Sequence, residues 1–215
     1  MKLPRLYPIL DTETLERREF RVDSAAAAML EGGAGILQYR RKGAFTRKAI
    51  DEAGRVAELC RRFGAIFIVD DRADIALLLN AGLHVGQQDL APEDARRLIG
   101  PKRMLGFSTQ DAAQLAAAAA APADYLALGP IFETASKQDP GPLVGLANLR
   151  AWRGLTELPL VAIGGIHRQN ALAVIEAGAD SVAVISDLLP EEITSPSLRT
   201  RMEEWQRILP KPRLA

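Results

Sequence analysis

A single cysteine, Cys60, is all that the 215 residues carry, so no internal disulfide can form and a reducing cytoplasm suits the chain. It falls among Val56, Leu59 and Phe63 at helical spacing, which assigns it to packing. Neither sign of charge is in excess, since 27 Lys and Arg balance 27 Asp and Glu. That excludes broad electrostatic attraction to nucleic acid or to a membrane surface, and confines charge-driven binding to local sites. Long apolar runs are missing as well. A membrane helix needs about 20 apolar residues, whereas the run over residues 6–10 is stopped by Asp11, also too soon for a signal peptide. No Gly-x-Gly-x-x-Gly follows that first run, which removes the usual mark of an open dinucleotide-binding sheet.

What is present is an alternation. Apolar residues make up 48% of the chain and charged ones 25%, proportions of a globular protein with a full core. Short apolar runs over 6–10, 35–39, 65–69, 83–85, 104–107, 125–128, 160–163 and 181–185 read as strands. Between them lie helical stretches over 24–31, 46–63, 72–80, 92–99, 112–120, 146–153 and 168–177. A last helix over 197–208 places Leu198, Met202, Trp205 and Ile208 on one face, either closing an outer layer or covering a contact within a homo-oligomer. Thr46 is placed to cap a helix, Pro92 to open one, and Gly32, Gly82 and Gly178 to end them. Strands buried on both faces read as continuous apolar runs. Eight such units predict a (β/α)8 TIM barrel, a single domain over residues 1–215.

In such a barrel the chemistry sits where strands end. Strand two runs into Gln38-Tyr39-Arg40-Arg41-Lys42, and alternation sends Gln38, Arg40 and Lys42 to one side. Two cations and an amide there suit an anion; a solvated basic loop is the plainer alternative. Strand three ends in Asp70-Asp71, and strand four leads to Gln87-Gln88-Asp89. Carboxylates after neighbouring strands can share magnesium with substrate oxygens. Asp71 as a helix cap and Asp89 as a turn residue are the alternatives. His84, inside strand four, reads as a packed histidine. Strand five delivers Ser108-Thr109, and strand six delivers Thr134, Ser136 and Lys137 in a loop long enough to act as a lid. Gly164-Gly165 and Ile185-Ser186 follow strands seven and eight, the common phosphate site of this fold.

These residues resemble the thiamine-phosphate synthases, also called thiamine-phosphate pyrophosphorylases. The likeness runs from about Leu6 to Leu188. It is carried by Gln38-x-Arg40-x-Lys42, Asp71-Arg72-x-Asp74, His84-Val85-Gly86-Gln87-x-Asp89, Gly106-x-Ser108-Thr109, Gly129-Pro130-Ile131-Phe132-x-Thr134-x-Ser136-Lys137 and Ile163-Gly164-Gly165-Ile166. The resemblance implies two small phosphorylated substrates: hydroxymethylpyrimidine diphosphate condenses with thiazole phosphate to give thiamine phosphate and pyrophosphate. By that likeness Gln38, Arg40, Lys42, Asp70, Ser108 and Lys137 hold the pyrimidine diphosphate, with Arg40, Lys42, Ser108 and Lys137 serving catalysis. Asp71 and Asp89 hold magnesium, while Thr134, Ser136, Gly164, Gly165, Ile185 and Ser186 hold the thiazole phosphate. Two positions depart from the family's usual pattern: Asp70 stands where asparagine is usual, and Gln110 where histidine follows the Ser-Thr pair. The competing expectations are a thiazole tautomerase and a catalytically decayed barrel that only binds thiazole phosphate.

Overall fold

The apolar runs become strands with both faces buried. The computed structural model describes residues 3–134 and 141–210. In chain order it contains β1 (Leu6–Asp11), α1 (Thr12–Arg17), α2 (Val22–Glu31), β2 (Ile36–Arg40), α3 (Arg47–Phe63), β3 (Ile66–Asp70), α4 (Ala73–Leu78), β4 (Gly82–Val85), α5 (Pro92–Ile99) and β5 (Leu105–Thr109). There follow α6 (Ala112–Ala118), β6 (Tyr125–Leu128), α7 (Gly145–Trp152), β7 (Leu160–Ile163), α8 (Ala171–Glu176), β8 (Ser181–Val184) and α9 (Ser195–Ile208). All strand pairs are parallel and follow sequence order, and β1 returns to β8, so the sheet is a closed (β/α)8 barrel. Among the described residues no helix is long and apolar enough to cross a membrane.

Alternation along each strand divides the core in two. Leu6, Leu10, Leu37, Tyr39, Val69, Leu83, Leu105 and Leu126 face the helices. Tyr7, Ile9, Ile36, Ile68, Tyr125, Ala127, Val161 and Ala183 form a separate cluster inside the barrel. Following the inward parity toward the strand ends leads from this apolar floor to Asp11, Gln38, Arg40, Asp70, His84 and Ser108. Strand parity alone therefore puts the polar residues at the mouth.

Several local expectations hold and several are corrected. Thr46 Oγ1 accepts from Ala49 N at 3.4 Å and caps α3, and Pro92 occupies the first turn of α5. Gly82 does not end a helix; it opens β4, where a Cβ would lie 2.4 Å from Ile68 Cδ1. Helix α1 is an addition: only Thr12 and Leu15 of its six residues are buried, so its pattern carries little apolar signal. In α9, Leu198, Met202 and Trp205 are fully buried as expected, whereas Ile208 is 38% exposed and Leu209 is buried instead. The helix packs on α2, and Gly32 lets it approach, since a Cβ there would sit 2.5 Å from Met202 Cβ. Trp205 thus closes the outer layer. Cys60 is buried, and desolvation pushes its thiol up to about 12, which keeps it an unreactive packing group.

Candidate active site

Strands β1 to β4 bring two cations and four carboxylates to one side of the mouth. Asp11 and Arg40 are register partners on β1 and β2, and their side chains form an ion pair. Asp11 also caps α1, accepting from Thr14 N at 2.9 Å and from Thr14 Oγ1 at 2.6 Å. Burial alone would raise its carboxyl, but these bonds and the Arg40 charge outweigh it and hold Asp11 below the usual range. Arg40 Nε lies 3.7 Å from Asp70 Oδ2 on its other side. Lys42, beyond the end of β2, reaches Asp70 Oδ2 at 3.2 Å and pairs with Asp71. Gln38 Nε2 donates to Asp70 Oδ1 at 2.9 Å. Gln38, Arg40 and Lys42 therefore converge as the alternation predicts, but on Asp70.

Asp70 is the hub of this cluster and is 6% exposed. Burial, with the neighbouring Asp71 charge, pushes its carboxyl up to about 6, against the pull of Lys42 and Arg40. Asp71 follows with φ 61, a left-handed conformation rare for a side chain other than glycine, asparagine or aspartate. The turn is held by Asp71 N donating to His84 O at 2.8 Å and Arg72 N donating to Asp70 O at 2.7 Å. The capping alternative fails here: α4 has Arg72 at its N-cap and no side-chain cap bond. Asp89 does serve the turn after β4, accepting from Gly86 N at 2.8 Å. Burial raises its carboxyl, Gly86 N–H opposes, and a hydrogen bond and charge from Asp71 raise it further. Asp71 and Asp89 are thus neighbours, two hard oxygen donors on adjacent loops.

Ser108 is tied to this side by two contacts. Its carbonyl accepts from Gln87 Nε2 at 2.6 Å, and its hydroxyl lies 2.8 Å from His84 Nε2. His84 is a packed residue of the barrel interior, as its position suggests, yet its ring also touches the site. Burial pushes it down to about 4, so the imidazole is neutral near pH 7. Thr109, in contrast, points to structure: its hydroxyl donates to Ala127 O at 2.9 Å.

The ends of β6, β7 and β8 form the opposite side. Gly164 and Gly165 have φ 99 and 63, and a Cβ on Gly165 would lie 2.4 Å from Glu133 O. Both conformation and space therefore demand glycine. Phe132 N donates to Gly164 O at 3.0 Å, which ties the loop bearing Thr134 to the glycine pair. Strand β8 ends at Val184, one residue before Ile185, and exposed Ser186 opens a short 3-10 turn. Ser136 and Lys137 lie outside the described residues. Sequence reasoning missed Asp11, which reads there only as the end of an apolar run, and the partners of His84; both depend on strand register.

The comparisons with known proteins agree with one another. The family model for thiamine monophosphate synthase matches residues 6–188. The thiamine-phosphate synthase of Koribacter versatilis is 46% identical over 214 residues, covering 97% of each chain. That of Chloroflexus aurantiacus is 43% identical over 199 residues, covering 92% of this chain and 91% of its own. The solved thiamine phosphate pyrophosphorylase of Pyrococcus furiosus superposes with a TM-score of 0.82 at 35% identity, covering 95% and 94% of the two chains. With the (β/α)8 barrel and the polar mouth, these likenesses mean that the chain belongs to the thiamine monophosphate synthase family.

Proposed function

We propose that the barrel mouth condenses hydroxymethylpyrimidine diphosphate with thiazole phosphate, releasing pyrophosphate and forming thiamine phosphate. The observation that carries this reading is the convergence of Arg40 and Lys42 with the neighbouring carboxylates Asp71 and Asp89. Two formal positive charges there meet the four carboxylates Asp11, Asp70, Asp71 and Asp89. That balance favours a divalent cation over a bare diphosphate. Among the described residues no three or more of these carboxylates or other Asp, Glu, His or Cys side chains are placed to hold one metal ion together. A pair of carboxylates fits magnesium, which commonly takes one or two from protein and completes its shell with phosphate oxygens and water. When bound at Asp71 and Asp89, magnesium supplies positive charge beside the leaving diphosphate.

Breaking the carbon–oxygen bond sends its electron pair to the diphosphate, and negative charge grows on the departing oxygens. Arg40, Lys42, Ser108 and Lys137 donate to those oxygens where the charge develops. The pyrimidine's own amino group stabilises the methylene cation, and the thiazole nitrogen attacks that carbon. No covalent nucleophile is required of the protein. Thr134, Ser136, Gly164, Gly165, Ile185 and Ser186 orient the thiazole phosphate, so that attack outruns capture by water.

Purified protein given both substrates is expected to release pyrophosphate and form thiamine phosphate in equal amounts, only with magnesium. Release that persists with a chelator would remove the metal from the reading. Thiazole isomerisation without pyrophosphate release would replace the synthase with a tautomerase. A separate expectation concerns Asp70. Asp70→Asn keeps the acceptor for Gln38 but removes a negative charge beside Lys42 and Arg40. Inhibition by inorganic pyrophosphate should be equal or tighter, by up to roughly tenfold for one favourable charge contact. A large loss of affinity would show that Asp70 itself holds metal or substrate.

A further inference from the structure

Below Ser108 a file of polar groups, half-buried at His84 and fully buried at Tyr125 and Tyr7, runs into the barrel interior. His84 Nε2 lies 2.8 Å from Ser108 Oγ, His84 Nδ1 lies 3.0 Å from Tyr125 Oη, and Tyr125 Oη lies 2.7 Å from Tyr7 Oη. Register assembles it: His84 pairs with Gly106 and Gly106 with Tyr125, so glycine is the strand residue between the two rings. A Cβ on Gly106 would lie 2.1 Å from Tyr125 Cζ and 2.5 Å from His84 Nδ1. Glycine at this position makes room for the imidazole to stack on the phenol, with centroids 5.6 Å apart.

The direction of this file is decided by counting donors. Tyr7 is 2% exposed, sits in the apolar floor, and meets only Tyr125 through its hydroxyl among the described residues. Burial pushes both phenols well above their ordinary range, so each keeps its proton. Suppose Ser108 donates to His84. Then His84 Nδ1–H donates to Tyr125, Tyr125 donates to Tyr7, and the Tyr7 proton is buried with no acceptor. In the opposite direction every donor is used. Tyr7 donates to Tyr125, Tyr125 donates to His84 Nδ1, and His84 Nε2–H donates to Ser108 Oγ. The Ser108 proton is then left to point outward. An ionised phosphate oxygen only accepts, so this is the direction that a diphosphate requires.

We infer that Tyr7, Tyr125 and His84 are a positioning relay that fixes His84 as the Nε2–H tautomer and presents Ser108 to the diphosphate as a hydrogen-bond donor. The inference deepens the proposed function and rests on Ser108 meeting the diphosphate. The role assigned to the three residues is exercised through Ser108, not by contact with substrate.

The tautomer is read directly on the wild-type protein without substrate, from two-bond proton–nitrogen NMR of histidine labelled with 15N. His84 and His167 are the only histidines, and His167→Gln identifies the second set of signals. His84 is expected to show a protonated Nε2 and a bare Nδ1; the reverse tautomer would overturn the relay. Kinetics then test the link to Ser108. Tyr125→Phe should lower kcat/KM for the pyrimidine diphosphate by roughly tenfold, a fraction of the loss on deleting one such donor outright. In a Ser108→Ala background the same change should cost nothing more. An equal loss in both backgrounds would show that Tyr125 does not act through Ser108. The tautomer measurement needs neither a variant of Tyr125 nor turnover. Absence of pyrophosphate release from the wild type would therefore strike the proposed function and leave the tautomer result standing.

Discussion

Asp89→Asn should reduce pyrophosphate release by about two orders of magnitude, the scale of losing a group that positions or binds a catalytic metal. The melting temperature should stay within roughly 2 °C of the parent, as for a surface change within about 0.5 kcal/mol. The two effects separate because the residue's roles do. Its structural task is to accept from Gly86 N, and an asparagine oxygen does that as well. Its charge, in contrast, lies beside Asp71, where like charges repel; the asparagine therefore relieves strain on the fold while it removes a metal ligand. Raising magnesium should recover part of the activity. Parallel loss of melting temperature and activity would instead make Asp89 a turn residue and nothing more.

Arg40→Met should damage both fold and chemistry. The Arg40 side chain is 16% exposed and stands between the buried carboxylates of Asp11 and Asp70. Removing one partner of a buried pair leaves uncompensated charge, typically costing about 3–5 kcal/mol. Thr14 still serves Asp11 here, and Gln38 and Lys42 still serve Asp70, so about 3 kcal/mol is expected. For a chain of this size that is a fall of about 6–12 °C in melting temperature. Adding Asp11→Asn should return much of the stability, since the asparagine can still cap α1. It should return none of the activity, because the donor to the leaving oxygens is still missing. Recovery of turnover in the double variant would remove Arg40 from the chemistry and leave it a structural partner of Asp11.

The barrel was legible because parallel strands covered on both faces must be apolar at every position, and that pattern needs no tertiary knowledge. Helix α1 was not, because six residues with two buried ones carry no periodicity worth reading. At the mouth, Gln38, Arg40 and Lys42 followed from alternation within one strand, while Asp71 and Asp89 followed from their places after neighbouring strands. Asp11 stayed hidden because its meaning lies in the register of β1 against β2, which brings it opposite Arg40. His84 was rightly placed as packed, but its bonds to Tyr125 and Ser108 cross from β4 to β5 and β6. Residues whose role rests on one strand's pattern could be read; those whose role rests on pairing could not.

The contact of α9 with α2 has a consequence for how tightly the ring can be shut. Neighbouring strands elsewhere join residues such as Ile36 and Ile66, but the last seam joins Leu6 to Val182, nearly six times as far along the chain. Loop-closure entropy makes that seam costlier by about 1.6 kcal/mol, from the logarithm of the length ratio. Helix α9 packs on α2 and on the short turn that follows β8, and Gln206 Nε2 donates to Gly33 O, just past α2, at 2.8 Å. The buried Leu198, Met202 and Trp205 contribute roughly 1.5–3 kcal/mol apiece. That burial falls beside the strand pair whose closure carries the larger entropic cost. Asp11 at the end of β1 and Ser186 just past β8 stand on either side of that seam, so the closing strand pair joins the two halves of the mouth.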